Sequence, residues 1–252
     1  MKQLVSIVAI IIGATIISHA STRSDVNVLE ASENIKYLTQ KIAKDYLFFY
    51  THQNKQEIQT EISKSVVALE KNIRTIAVTT KDPKTKQLLD FFAYEKEQMK
   101  SNMLKEPNLS NASSILDSSE AITEGANRIA KSIEYNFSFE EQMLIISKNI
   151  EYLIEKITKY YIVLGTDIDR TTIIKKMEKA IREIEDDLYT IKQYKYPSNI
   201  NDKKEELAKL WTINKLYYSK VDSLKIPNIV LISTDNFKNI INEISTYHSK
   251  NQ

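Results

Sequence analysis

The sequence predicts an all-α protein: two tandem antiparallel four-helix bundles from an internal repeat, joined by a long or kinked central helix. Three observations carry this. Residues 34–47, NIKYLTQKIAKDYL, return without a gap as residues 149–162, NIEYLIEKITKYYI, an offset of 115. Four prolines cut the two copies at matching places. Only three glycines occur, too few for the many tight turns of an all-β fold.

The elements follow in order. Lys2, an apolar run from Leu4 to Ile17, and Ser18-His19-Ala20 read as an export signal over residues 1–20, cut after Ala20. The run is shorter than the roughly 20 apolar residues a spanning helix wants; an uncleaved anchor is the alternative. The expected location is the periplasm. The first repeat is then 21–138 and the second 139–252.

In the first helix, expected over 26–51, Ile35, Leu38, Ile42 and Phe49 recur at helical steps, as Ile150, Leu153, Ile157 and Leu164 do over 140–164. The second helices, 54–79 and 169–193, keep the offset through Ile58 and Ile173, Glu70 and Glu185, and Thr75-Ile76 and Thr190-Ile191. Pro83 and Pro197 end them. The third helices, 84–104 and 202–222, are followed by Pro107 and Pro227. The fourth, 110–136 and 228–249, match from Ile115-Leu116 against Val230-Leu231 to Ile129 against Ile244. One register held from end to end marks a duplication.

No Gly or Pro lies between Ala126 and Leu164. The fourth helix is therefore expected to run into the fifth, with the bundles stacked end to end. A break at Tyr135-Asn136-Phe137-Ser138 is the alternative.

Several chemistries are excluded. There is no cysteine, hence no disulfide, thiolate metal site or cysteine nucleophile. A net charge of +2 gives no electrostatic case for nucleic acid. Gly13, Gly125 and Gly165 cannot form a phosphate loop or a dinucleotide fingerprint. His52 and His248 stand near helix ends in polar contexts, and read as capping or solvated side chains. No histidine pair has metal-ligand spacing. Glu140-Glu141 and Asp186-Asp187 read as solvated faces. No catalytic residue, metal or cofactor is expected, and the protein is not expected to be an enzyme. The 14 tyrosines, including Tyr37 and Tyr46 with their counterparts Tyr152 and Tyr161, suit a helix core and its margins, or an aromatic-lined pocket. Trp211 reads as core.

The copies differ in charge on the first helix. Copy 1 has Lys36, Gln40, Lys41 and Lys44; copy 2 has Glu151, Glu155, Lys156 and Lys159 in register. Lys36 and Gln40 are i,i+4 neighbours on one edge and could together meet an anion. The same edge in copy 2 would repel one. Lys36, Tyr37, Gln40 and Lys41 are therefore the candidate ligand-binding residues; lysines on a solvated edge are the alternative.

Lys36-Tyr37-Leu38-Thr39-Gln40-Lys41-Ile42-Ala43-Lys44 resembles the R-M-L-S-Q-R-M-A-K phrase of the PilJ/NarX-type sensor domain. Leu207, Leu210 and Trp211 fit that family's third-helix pattern. The resemblance implies helical bundles, often duplicated, in the periplasmic part of type IV pilus chemotaxis-like transducers and nitrate/nitrite sensor kinases. It also implies a helix-one arginine that binds an anion across a dimer interface. Here Lys36 and Lys41 hold the two arginine positions, and Glu151 holds the first in copy 2. Lysine keeps the charge but not the planar fork. The sequence ends shortly after the second repeat, without a kinase or methyl-accepting segment. The expectation is a stand-alone exported sensory module. It would bind a small anion, another small ligand or partner helices, act with a membrane-bound transducer, and form a homodimer. A bundle with a purely structural or interaction role is the alternative.

Overall fold

The computed structural model describes residues 2–52, 56–133 and 135–251, with side chains from Ser24 onward. Among these residues there are eight helices and no strand. They are α1 (Lys2–Thr51), α2 (Gln56–Thr79), α3 (Pro83–Met103), α4 (Leu109–Lys131), α5 (Phe139–Val163), α6 (Arg170–Gln193), α7 (Ser198–Ser219) and α8 (Pro227–Asn251). The first helix starts at Lys2, well before residue 26, and runs through the expected cleavage point. The side chains of the apolar run Leu4–Ile17, on which the export reading rests, lie outside the described residues. No helix is long and apolar enough to cross a membrane, among the residues searched.

The prolines open helices as well as closing them. Pro83 is the first residue of α3, where its missing N–H is no loss, and Asp82 caps the turn by accepting from Lys84 and Thr85 N–H. Asn108 and Asp169 cap α4 and α6 in the same way.

The central helix is not continuous, and this corrects the sequence expectation. The chain leaves α4 at Lys131, and α5 begins with a capping box in which Ser138 and Glu141 satisfy each other's backbone N–H groups. The physical reason lies in the packing. α1 and α5 are the two central helices: α1 packs against α2, α4 and α5, and α5 against α1, α6 and α8. Lys36 meets Asn149 and Lys44 meets Glu155, so the two run parallel, side by side. A continuous α4–α5 helix would carry α5 away from α1 and lose that interface. The break at 132–138 turns the chain so that α5 starts beside α1.

The duplication holds in three dimensions. Asn34 bonds Asn72 at 3.3 Å, and Asn149 bonds Asp187 at 2.7 Å. Lys100 pairs with Glu70, and Lys215 with Glu185. Thr51 donates to Phe48 O, and Thr166 to Val163 O. Gln40 bonds Thr123, and Glu155 pairs with Lys238. Each of these pairs keeps the 115-residue offset. An approximate two-fold axis along the α1–α5 seam thus relates α1–α4 to α5–α8.

Neither four-helix unit closes fully. α3 packs on α4 and α7 on α8, but α2 barely meets α3, and α6 barely meets α7. Each unit therefore keeps an open groove along that seam. The core itself is continuous through Ile35, Ile42 and Leu47 of α1 and Ile150, Leu153 and Ile157 of α5.

Gly125 sets how closely α3 approaches α4. A Cβ at this position would lie 2.4 Å from Phe92 Cε1, and Phe92 is fully buried. Gly125→Val should therefore destabilise the protein by about 2 kcal/mol, an overpacking cost, measured as a lower midpoint in urea unfolding. An unchanged midpoint would mean that α3 yields freely.

Candidate functional site

Because α1 and α5 are central, even their polar positions are covered. α5 is buried on nearly every face from Ile150 to Val163, yet carries Glu151, Glu155 and Lys159 there. A buried charge must be paired. The candidate site is this polar seam.

Glu155 is fully buried, with Lys44 of α1 at 2.8 Å and Lys238 of α8 at 2.6 Å. Burial alone would push its carboxyl up; the two ammonium groups outweigh that and hold it at about 2. Burial works against the charge on Lys44, but Glu155 and Asp45 together raise its pKa.

The second half of the seam differs. Gln40 stands where copy 2 has Glu155. Lys159, the counterpart of Lys44, pairs instead with Glu120 of α4, which also accepts from Tyr160 Oη at 3.0 Å. Burial lowers Lys159 to about 8, with Glu120 offsetting part of the effect. Burial would raise Glu120, but Lys159 and Lys156 bring it to about 2.

The residues predicted to bind a ligand fall on more than one side of α1. Lys36 is buried and already neutralised: Glu33 lies at 2.7 Å, Asn149 Oδ1 at 3.4 Å, and the Tyr152 ring centre at 4.9 Å. Tyr37 is half-buried beneath the Lys238 ammonium, 5.7 Å from its ring centre. Burial, helped by Glu155, pushes its hydroxyl up to about 12. Gln40 is buried; its Nε2 donates to Thr123 Oγ1 at 2.8 Å, and its Oε1 has no partner. Lys41 turns elsewhere, toward Asp45 at 2.6 Å and Glu61 at 3.8 Å. Lys36 and Gln40 are thus seam residues, not members of a solvated edge. Glu151 is also buried; burial raises its carboxyl, and Lys148 at 3.1 Å opposes the shift.

Sequence reasoning missed a second polar centre. His248 is fully buried, not solvated. Its Nδ1 lies 2.6 Å from Glu140 Oε2, and its Nε2 lies 2.8 Å from Tyr196 Oη. Tyr194 donates to the other Glu140 oxygen. The group ties the first turn of α5 to the last turn of α8 and to the α6–α7 connection. Burial lowers the His248 pKa, and Glu140 partly restores it. Glu140 and Asp187 are therefore engaged, where the sequence suggested solvated faces. Burial raises Asp187 to about 6, against the hydrogen bond from Asn149. Trp211 is core, as expected, against Phe237 and Tyr218. No group of acidic or histidine side chains among the described residues could hold a metal ion.

Compared with protein-family models, curated proteins and solved structures, the chain has no match.

Two outcomes follow from the seam and the His248 tie. Glu155→Gln leaves Lys44 and Lys238 without their carboxylate and should cost about 3–5 kcal/mol in chemical unfolding. Glu155 is held at about 2 when folded, below its ordinary 4.5. Its contribution is therefore complete above pH 4.5 and is lost as the pH falls toward 2. The mutant should lack that part of the acid transition.

His248 is lowered from its ordinary 6.5. The unfolded chain then binds more protons just below that pH, so stability is complete above pH 6.5 and declines on acidification. Melting temperatures at pH 7 and pH 5 should differ less in His248→Gln than in the wild type. An equal difference would remove His248 from the account.

Proposed function

We propose that the protein is an exported, stand-alone helical sensory module of the PilJ/NarX type, which works by binding and alongside a membrane-bound transducer. One observation carries the reading. The resemblance places the anion-meeting residue of helix one at an interface between two copies of that helix. Here the two copies of helix one, α1 and α5, lie parallel within one chain, with Lys36 against Asn149 and Tyr152. The duplicated chain supplies both halves of such an interface itself, so a second chain is not needed to form it.

The same seam bears on the ligand. Glu33 already balances Lys36, so an anion there must compete with an internal carboxylate. This favours a ligand held elsewhere in the bundle over a free anion at the Lys36 edge. A purely structural or interaction role is the second reading. It draws on the exposed apolar side chains Ile213 and Leu216 of α7 and Ile229 and Ile232 of α8, which suit contact with partner helices.

A thermal-shift screen of the purified protein with small anions and small neutral molecules tests the binding reading. A saturable rise in melting temperature with at least one compound is expected. If no compound shifts it and no membrane protein co-purifies, the sensory reading fails. Lys36→Met is the variant to include, because Lys36→Glu would set two carboxylates together beside Glu33. A response to anions unchanged in Lys36→Met places the binding elsewhere. N-terminal sequencing of exported protein should begin at Ser21.

A further inference from the structure

Asn214 of α7 is fully buried, yet neither its Oδ1 nor its Nδ2 has a hydrogen-bond partner. Trp211, three residues earlier on the same buried face, has an unpartnered Nε1. A buried polar group without a partner costs roughly 1–3 kcal/mol, so unpartnered groups of this kind are rare in native proteins. The Trp211 ring also lines the open groove between α6 and α7, a space of about 520 Å³ bordered by Leu188, Ile191, Leu207 and Ala208. That volume lies within the range of small-molecule sites.

The other copy is an internal control. At the 115-residue offset, Lys96 and Met99 occupy the positions of Trp211 and Asn214. Met99 is buried and apolar, and Lys96 reaches Glu70 at 3.2 Å. The same helix therefore packs without stranded polar atoms. Copy 2 retains a donor–acceptor amide and an indole N–H where copy 1 has an ordinary core residue and a paired charge.

We propose that the α6–α7 groove binds a neutral small molecule with an apolar ring and a carboxamide-like head, the head being held by Asn214 and Trp211. Asn214 offers one donor and one acceptor side by side, and a carboxamide or lactam offers the complement. The carbonyl oxygen takes Asn214 Nδ2–H and, on its second lone pair, Trp211 Nε1–H; the ligand N–H donates to Asn214 Oδ1. The apolar ring lies along Leu188, Ile191 and Leu207. The head is neutral because the two groups that receive it are neutral. This inference rests on the binding reading above and names the ligand class and the site.

Trp211 is the only tryptophan in the chain, so its fluorescence reports this site alone. The full-length protein is titrated with benzamide as the probe, with toluene (ring without head) and benzoate (charged head) as comparisons, and melting temperature is followed in parallel. Benzamide is expected to change Trp211 emission saturably and raise the melting temperature, with toluene and benzoate at least tenfold weaker. Asn214→Leu should bind benzamide at least tenfold more weakly, keep its helical circular dichroism, and melt higher than the wild type because the stranded amide is gone.

Equal binding of benzamide and either comparison would overturn the proposal, and this holds in the wild type whatever Asn214→Leu does. So would an absence of any emission change, since the amide would then hold water only. A compound that raises the melting temperature of wild type and Asn214→Leu alike, with silent Trp211 emission, overturns the site and leaves the binding module standing. Failure of every compound and of partner capture removes both.

Discussion

A carboxylate sealed between two helices from different halves of the chain must have a counter-charge, and the architecture is organised around meeting that need. Glu155 has no access to water; Lys44 from the first half and Lys238 from the second approach it within hydrogen-bonding distance. Replacing such a cluster wholesale with apolar side chains would often cost nothing, whereas removing one member leaves a bare charge in the core. The cluster therefore adds less to net stability than to specificity. It fixes which face of α5 meets α1, and in which register. Apolar contacts alone, through Ile35, Ile42, Ile150 and Ile157, would tolerate a slip of one turn far more readily.

The approximate two-fold axis makes divergence between the copies readable. Where the copies keep equivalent bonds, as at Asn34–Asn72 and Asn149–Asp187, the role is architectural. Where they part, the structure has specialised. On one side of the seam a carboxylate bridges two lysines; on the other, Gln40 bonds a threonine and Lys159 turns to Glu120. In the third helices, one copy has Lys96 and Met99, while the other strands Trp211 and Asn214 beside an open groove. The outer seams, α2 with α3 and α6 with α7, are where neither unit closes, and so where a small molecule can enter without unpicking the core.

Much of the fold was legible in the sequence. Helical period, the prolines and the gapless repeat placed all eight helices, because those signals are local. The break between α4 and α5 was legible too: Ser138 and Glu141 spell a capping box, a stronger signal than the absence of Gly and Pro that favoured continuity. Burial of the seam was not legible. Lys36, Gln40 and Lys44 lie at four-residue steps, the pattern of a solvated edge on a lone helix; only the parallel packing of α5 against α1 buries them. A partial hint lay in α5, where apolar residues at 150, 153, 154, 157, 161 and 162 leave little room for a wet face. The partners of His248 lie far away in sequence, at Glu140 and Tyr196, and leave no local trace. The stranded amide of Asn214 is equally silent, since an asparagine in a helix reads as surface.

The most direct test of the central claim is a double-mutant cycle across the seam, with Glu155→Gln, Lys44→Met and the pair compared in chemical unfolding. If the two halves are locked by this contact, the pair should be much less damaging than the sum of its members, with a coupling energy of about 2 kcal/mol or more. Strict additivity, with no coupling between Glu155 and Lys44, would contradict a parallel α1–α5 interface built on a shared buried charge.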